Sequence, residues 1–276
     1  MRMYFTVSEL AKAQGISRQT LIYYDRIGLF HPSYTDPSNG YRYYSSDQLD
    51  ELDTISMLKA AGLSLDAIRK ELAAYTTSSA LKMLNERISD IDRKIAGLRD
   101  VRARLVHRMD SVAQALNGRI GQVMLARSGD IYIFKQQVKP PYSYDDVSLA
   151  TKLCLTRARK EKVSVHFQSG AILSKEKLLQ HRFLETDHVF FPCDRAAGKN
   201  CEKIQGGLTA SILHKGEYSR TGESYEKLLA YIEEHGLKLC SPAYEFALND
   251  YLTTNDEKEY ITKLTLYVEE GSSGLD

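Results

Sequence analysis

Thr6-Val7-Ser8-Glu9-Leu10-Ala11-Lys12-Ala13-Gln14-Gly15-Ile16-Ser17-Arg18-Gln19-Thr20-Leu21-Ile22-Tyr23-Tyr24 reads as two short helices with a break between them. Thr6-x-x-Glu9 has the form of a capping box, in which the hydroxyl and the carboxylate satisfy backbone donors at a helix start. Val7, Leu10 and Ala11 keep helical spacing, Gly15-Ile16 supplies the break, and Ser17 offers a hydroxyl cap for the second helix. Two helices joined through a glycine suit a helix-turn-helix, whose second helix brings its N-terminal residues to base edges in the major groove. Here those residues are Arg18, Gln19 and Thr20. Arginine can pair with guanine and glutamine with adenine, while the hydroxyls of Tyr23 and Tyr24 suit phosphates. Taken alone, the stretch fits an ordinary helical hairpin with exposed polar residues equally well.

The next segment breaks that tie. Asn39-Gly40-Tyr41-Arg42-Tyr43-Tyr44 opens on a hairpin turn signal, because both Asn39 and Gly40 tolerate positive φ, and continues in an aromatic run that favours a strand. A hairpin carrying Tyr41 and Arg42 near its tip can reach an adjacent groove or a phosphate. A third helix is expected from about Ser46, with Leu49, Leu52, Ile55 and Leu58 on one face and Lys59 near its end. A break at Gly62 and a fourth helix from about Ser64 to Tyr75 follow.

These strings, in this order, resemble the DNA-binding region of the MerR family of bacterial transcription regulators. Tyr23-Tyr24-Asp25, Ile27-Gly28-Leu29, Asn39-Gly40-Tyr41-Arg42-Tyr43-Tyr44 and Lys59-x-x-Gly62 carry the resemblance across about the first 75 residues. One departure stands out: the family commonly has arginine just before the aromatic pair, where this chain has Ile22. Arg18, Arg42 and Lys59 are left as the stronger basic contacts.

Beyond the fourth helix, Leu81, Leu84, Ile88, Ile91, Ile95, Leu98, Leu105, Met109, Val112 and Leu116 recur at alternating spacings of three and four, with Arg102 at the one polar seat. A sustained heptad seam means a coiled coil, here roughly 54 Å long at 1.5 Å per residue. A long helix packed on its own C-terminal domain is the alternative, but the narrow seam and heavily charged other faces favour a coil between two identical chains. Such a dimer pairs two DNA-reading heads and predicts a pseudo-palindromic site. In a parallel pair two copies of Arg102 would face each other, and the resemblance implies an antiparallel one.

Composition agrees with this division. The 276 residues suffice for two globular regions, and 43% hydrophobic content is ordinary for a soluble protein. Residues 1–120 carry a net charge of +3 and the rest −2, so DNA affinity must come from local placement of a few basic groups. No long apolar run or secretory leader is visible, which predicts a cytoplasmic protein without membrane contact. Cys154, Cys193, Cys201 and Cys240 form no close C-x-C or C-x-x-C pair. They are read as reduced thiols, neither metal nor any other cofactor being expected.

From about Gly121 the pattern changes to short strands and helices. Strands are expected at 131–134, 163–167 and 189–193, with a helix at 145–160. The order then recurs: a strand at 208–213, a helix marked by Tyr225, Leu228, Leu229 and Ile232 and ended by Gly236, and strands at 244–251 and 260–268. Two strand-helix-strand-strand repeats predict an α+β domain with a cleft between its halves. His214-Lys215-Gly216-Glu217-Tyr218 and Pro242-Ala243-Tyr244-Glu245-Phe246 make this half resemble the GyrI-like effector-binding domain, and the whole chain the multidrug-sensing branch of the MerR family. The expected division is a winged helix-turn-helix head over 1–76, a coiled-coil helix over 77–118 and a GyrI-like domain over 119–276.

Strand alternation puts Glu245, Ala247, Asn249 and Tyr251 on one face. A buried carboxylate among aromatic walls would attract an organic cation, each ring face adding roughly 0.5–2 kcal/mol. With 18 Tyr and no Trp, tyrosine must supply most of that wall. Tyr218 and Tyr251 are the next candidates, followed by Phe134 and Phe167. A half-exposed Glu245 paired with Lys or Arg is what the strand alone would favour; the resemblance favours the pocket. It also implies an activator that distorts promoter DNA so that RNA polymerase engages it when a lipophilic effector binds. The competing readings are a small-molecule hydrolase, with Glu245 as general base beside a tyrosine, and a repressor that needs no ligand.

Overall fold

The computed structural model describes residues 3–73, 76–194 and 201–271. They fall into two compact units, 1–97 and 98–276.

In the first unit the capping box forms as expected. Thr6 accepts from the Glu9 amide at 3.3 Å, and Glu9 accepts from the Thr6 amide at 2.8 Å. This starts α1 (Val7–Ala13), and Gly15, at φ 63°, makes the left-handed turn out of it. The Ser17 hydroxyl accepts from the Thr20 amide at 3.0 Å and caps α2 (Arg18–Arg26). A small sheet flanks them, with β1 (Tyr4–Thr6) and β2 (Tyr34–Thr35) both antiparallel to the central β3 (Arg42–Ser45). α3 (Gln48–Ala60) and α4 (Leu65–Ala73) complete the unit, with the break at Gly62 taking φ 88°. The predicted end of α4 at Tyr75 lies outside the described residues.

Leu10, Leu21, Phe30, Tyr44, Leu52, Ile55, Leu58 and Ile68 form the core of this unit, all inaccessible to solvent. The wing differs from the tight hairpin expected: only Gly40, not Asn39, takes a positive φ. Asp36 replaces that geometry by accepting from the Ser38 amide and hydroxyl and from the Asn39 side chain, so its carboxylate organises a longer loop.

α5 (Thr77–Asn117) is a single helix of 41 residues, about 60 Å long. Its first half contributes Met83 to the core of the first unit.

The second unit is built on eight strands: β4 (Val123–Arg127), β5 (Ile131–Gln137), β6 (Gly170–Leu173), β7 (His188–Pro192), β8 (Glu202–Ile204), β9 (Leu208–Lys215), β10 (Leu237–Asn249) and β11 (Ile261–Glu270). Their order across the sheet is β4-β9-β11-β10-β6-β7-β5-β8, antiparallel throughout. The helices are α6 (Tyr144–Lys160), the short α7 (Lys175–Leu179) and α8 (Gly222–Glu234). β5-α6-β6-β7 and β9-α8-β10-β11 run in the same sequence order and meet at the central pair β10-β6, in mirrored strand order.

Cross-strand register defines the two faces. Glu245 pairs with Ala171 and Ala171 with Val189, so these side chains share one face. That face is covered by α8, through Tyr225, Leu228 and Ile232, and by α6, through Ala150, Cys154 and Ala158. On the opposite face Tyr244, Phe190, Ile133 and Tyr267 cluster, and α5 packs Ala115 against Leu213, Leu248 and Ile261.

The strand expected at 163–167 does not form. Val165 makes one isolated bridge to Cys193, while Val163 and Val165 are buried beneath α6, so their alternation serves packing. The strand lies instead at β6, beginning at Gly170, where a Cβ would lie 2.2 Å from the Phe190 ring. β10 begins already at Leu237, because a bulge between Leu239 and Ala243 absorbs Pro242. It ends at Asn249, short of the predicted Tyr251.

Candidate functional site

Two surfaces carry the chemistry. On the first unit, Arg18 and Gln19 are exposed at the start of α2, whereas the half-buried Thr20 spends its hydroxyl on Ser17 at 2.8 Å. Tyr23 is 47% exposed on the same helix. Tyr24, expected beside it as a phosphate contact, is only 4% exposed, since it lies one turn from Leu21 and shares that residue's core-facing side. This corrects the expectation: the pair divides into one surface tyrosine and one packing tyrosine.

On the wing Tyr41 is 61% exposed. Arg42 is not at the tip: it opens β3, and its Nε donates to Asp25 Oδ2 at 2.9 Å. Burial works against the Asp25 carboxylate, but hydrogen bonds from His31 and Arg42 outweigh it and hold its pKa below the usual range. The α2 helix and the wing are therefore tied by a charged bond that fixes the Arg42 guanidinium. Lys59 is exposed near the end of α3, and Ile22 is half-buried.

The second surface centres on Glu245. Its carboxylate projects from β10 toward α8, where the fully buried Tyr225 donates its hydroxyl to Oε1 at 2.7 Å. Burial raises the pKa of Glu245, partly offset by that hydrogen bond. Phe183 stacks on Tyr225 with centroids 5.1 Å apart.

Tyr218 follows β9 in a short 3-10 turn, and its half-buried ring lies 5.5 Å from that of Tyr260. Burial chiefly, then the negative charge of Asp250, pushes its hydroxyl far above its ordinary pKa; Glu245 acts in the same direction. His214 explains why Tyr218 sits there. One ring nitrogen meets the Ser224 hydroxyl at 2.9 Å and the other the Glu217 carbonyl at 3.1 Å, pinning the loop to α8. Gly216, at φ 122°, makes the turn.

The other predicted wall residues lie elsewhere. Tyr251 is 60% exposed in the turn after β10, because the strand stops before it. Phe134 is fully buried under α6 on the third strand from β10, with the Arg157 guanidinium 4.4 Å over its ring. Phe167 is half-buried, its ring 4.8 Å beneath the Arg104 guanidinium of α5. Both phenylalanines thus have one ring face engaged by an internal arginine.

Sequence reasoning missed Tyr225, which at helical spacing with Leu228 and Ile232 reads as core. It also missed the pair formed by Arg108 and Asp250. Arg108 on α5 donates to Asp250 Oδ1 at 2.6 Å, with the two side chains 9% and 1% exposed. Arg108 also donates to Thr253 Oγ1 at 3.2 Å. The residue that follows the strand carrying Glu245 is therefore bonded to the long helix.

Along α5, Leu84, Ile88, Ile91, Ile95, Leu98, Leu105 and Met109 are each at least 36% exposed, and Val112 is half-buried. Among the described residues one group of possible metal ligands occurs, His107, His166 and Asp194. The Cys193 and Cys201 sulfurs are 3.1 Å apart as free thiols. No described helix is long and apolar enough to cross a membrane.

Residues 5–75 match the MerR HTH family regulatory protein family, residues 49–108 the MerR DNA-binding family, and residues 183–268 the GyrI-like small molecule binding domain. The chain is 26% identical over 272 residues to the multidrug-efflux transporter 2 regulator of Bacillus subtilis (strain 168), spanning 98% of each chain. It is 23% identical to the multidrug-efflux transporter 1 regulator of the same organism, over 97% of this chain and 99% of that one. It is 32% identical to the mercuric resistance operon regulatory protein of Bacillus cereus over 109 residues, 38% of this chain and 82% of that protein. With its capped helix-turn-helix and wing at one end and its eight-stranded effector domain at the other, the chain belongs to the MerR family of ligand-responsive transcription regulators.

Proposed function

We propose that the protein works in the cytoplasm as a homodimeric activator that holds promoter DNA and, on binding a lipophilic cation at Glu245, distorts it for RNA polymerase. Labour divides among a DNA-binding head over 1–76, a coiled-coil helix over 77–118 and an effector domain over 119–276. Arg18 and Gln19 read bases, Tyr23, Tyr41, Arg42 and Lys59 meet the backbone, and the exposed apolar stripe of α5 joins two chains. Exposed apolar patches of this extent mark association surfaces.

The observation that carries the cation reading is a single one: a half-buried carboxylate facing α8, whose only hydrogen bond among the described residues comes from a buried tyrosine. Among the described residues no lysine or arginine pairs with it, so a ligand that brings its own positive charge relieves the cost of burial. Tyr225 donates to the carboxylate and Tyr218 lies near enough to feel its charge, and the names of the two Bacillus subtilis relatives agree with an effector of multidrug type. Glu245→Gln should weaken binding of tetraphenylphosphonium by at least about tenfold, a loss of roughly 1.4 kcal/mol, measured by isothermal titration. Equal affinity in both proteins would remove the assignment. The site is read as a sensor, not a catalyst, and mass spectrometry of ligand incubated with the protein should recover it intact.

A further inference from the structure

On the face of the sheet opposite Glu245, a cleft of about 470 Å³ opens between the second half of α5 and the strands. Its size falls within the range of about 300–1,000 Å³ usual for small-molecule sites. Phe246 and Leu248 from β10, Ile131 from β5 and Tyr267 from β11 give it apolar walls.

Two polar groups on β11 line this space without partners among the described residues. Lys263 and Thr265 stand two residues apart on the strand and share the cleft face. Lys263 is half-buried, and among the described residues its ammonium meets no carboxylate and no hydrogen-bond acceptor. Burial accordingly lowers its pKa. Thr265 is 7% exposed, and its hydroxyl has no partner among the described residues. Buried polar groups are nearly always satisfied, so an orphan ammonium beside an orphan hydroxyl needs an explanation.

We propose that this cleft is a second effector site, which takes a small organic anion with an apolar body, its acidic group held by Lys263 and Thr265. A carboxylate accepts from both donors at once while its hydrocarbon lies against Phe246 and Leu248. A cation is repelled by the ammonium that forms the floor. The chemistry is thus the reverse of that at Glu245, one sheet thickness away. The titratable groups from α5 and the neighbouring loop are His107 and His166, which stack with centroids 4.0 Å apart, and Asp110, which is exposed on the rim. Ser111 and Gln114 of α5 also line the space, so an occupant touches the long helix directly.

The test uses the full-length protein, with octanoate as probe and octanamide as its uncharged counterpart, followed by isothermal titration. Octanoate should bind at least about tenfold more tightly than octanamide, the ratio expected of one charge-assisted hydrogen bond. Lys263→Met should abolish that preference, Lys263→Arg should keep it, and Lys227→Met on the exposed side of α8 should leave it unchanged. If Lys263→Met does not fold, Thr265→Val carries the same test with an expected loss of about fivefold. Saturating tetraphenylphosphonium should not displace octanoate. The proposal is overturned by absent octanoate binding, by equal affinity for octanamide, by binding that survives both variants, or by competition between octanoate and the cation.

Discussion

At Glu245, burial and a hydrogen bond act in opposite directions, and the pH dependence follows from which one wins. Its pKa lies above the usual 4.5 because desolvation outweighs the bond from Tyr225. A cation needs the ionised form. Cation affinity should therefore be full above the raised pKa and fall as the pH drops through it, while Glu245→Gln shows no such step in titrations across acid pH. The empty protein obeys the opposite sign: its folded state holds the Glu245 proton more tightly than the unfolded chain does. Stability from this group is present below the unfolded pKa and lost as pH rises through the folded one, so Glu245→Gln should melt higher than the parent at neutral pH. At the other end of the chain, Ile22 stands half-buried on α2, the helix proposed to read bases, at the position where the resemblance to the MerR family leads one to expect arginine. Ile22→Arg should tighten operator binding and steepen its salt dependence by about one counterion, read from affinity against salt concentration. Alternation along the strand gave Glu245 its face, but it was singled out only through the resemblance to the GyrI-like domain, since the strand alone favoured a half-exposed, paired carboxylate. Tyr225 was not legible, since only the packing of α8 on β10 turns a tyrosine at a core position into a hydrogen-bond donor.

Helix starts were the most legible elements, because Thr6 and Ser17 declare them by local chemistry that needs no tertiary partner. The strand at β6 was hidden for the converse reason: Gly170-Ala171-Ile172-Leu173 has no alternation, being covered on both faces, and the alternating residues just before it pack under α6. The wing was readable as a hairpin but not in detail, since Asp36 governs its loop through bonds that spacing cannot show. At this scale the bond between α5 and the end of β10 matters most. Asp250 is 1% exposed and neutralises an Arg108 that is almost as deeply buried. Asp250→Ala leaves that guanidinium uncompensated and should cost about 3–5 kcal/mol, measured by urea unfolding of the full-length protein. The double variant Asp250→Ala with Arg108→Met should recover much of the loss. Equal stability of the single and double variants would show that the pair does not hold the strand to the helix.

On the proposed reading the whole molecule is a dimer whose activation is a shift between states, and an effector moves that balance only as far as it binds one state better. The elements that make such preference physical lie on one strand: β10 carries Glu245 near its middle and leads at its end to Asp250, which is bonded to α5. The heptad seam of α5 was legible in sequence as a stripe, and in the structure that stripe remains uncovered on the single chain. What spacing could not reveal was that the second half of the same helix also packs on one face of the effector sheet through Ala115. Transcription in vitro from the protein's own promoter, with and without tetraphenylphosphonium, tests the central claim most directly. The account predicts that the cation raises transcript yield with the parent protein and has no effect with Glu245→Gln, although both proteins occupy the promoter equally. An unchanged yield with the parent, or the same rise with both proteins, would contradict it.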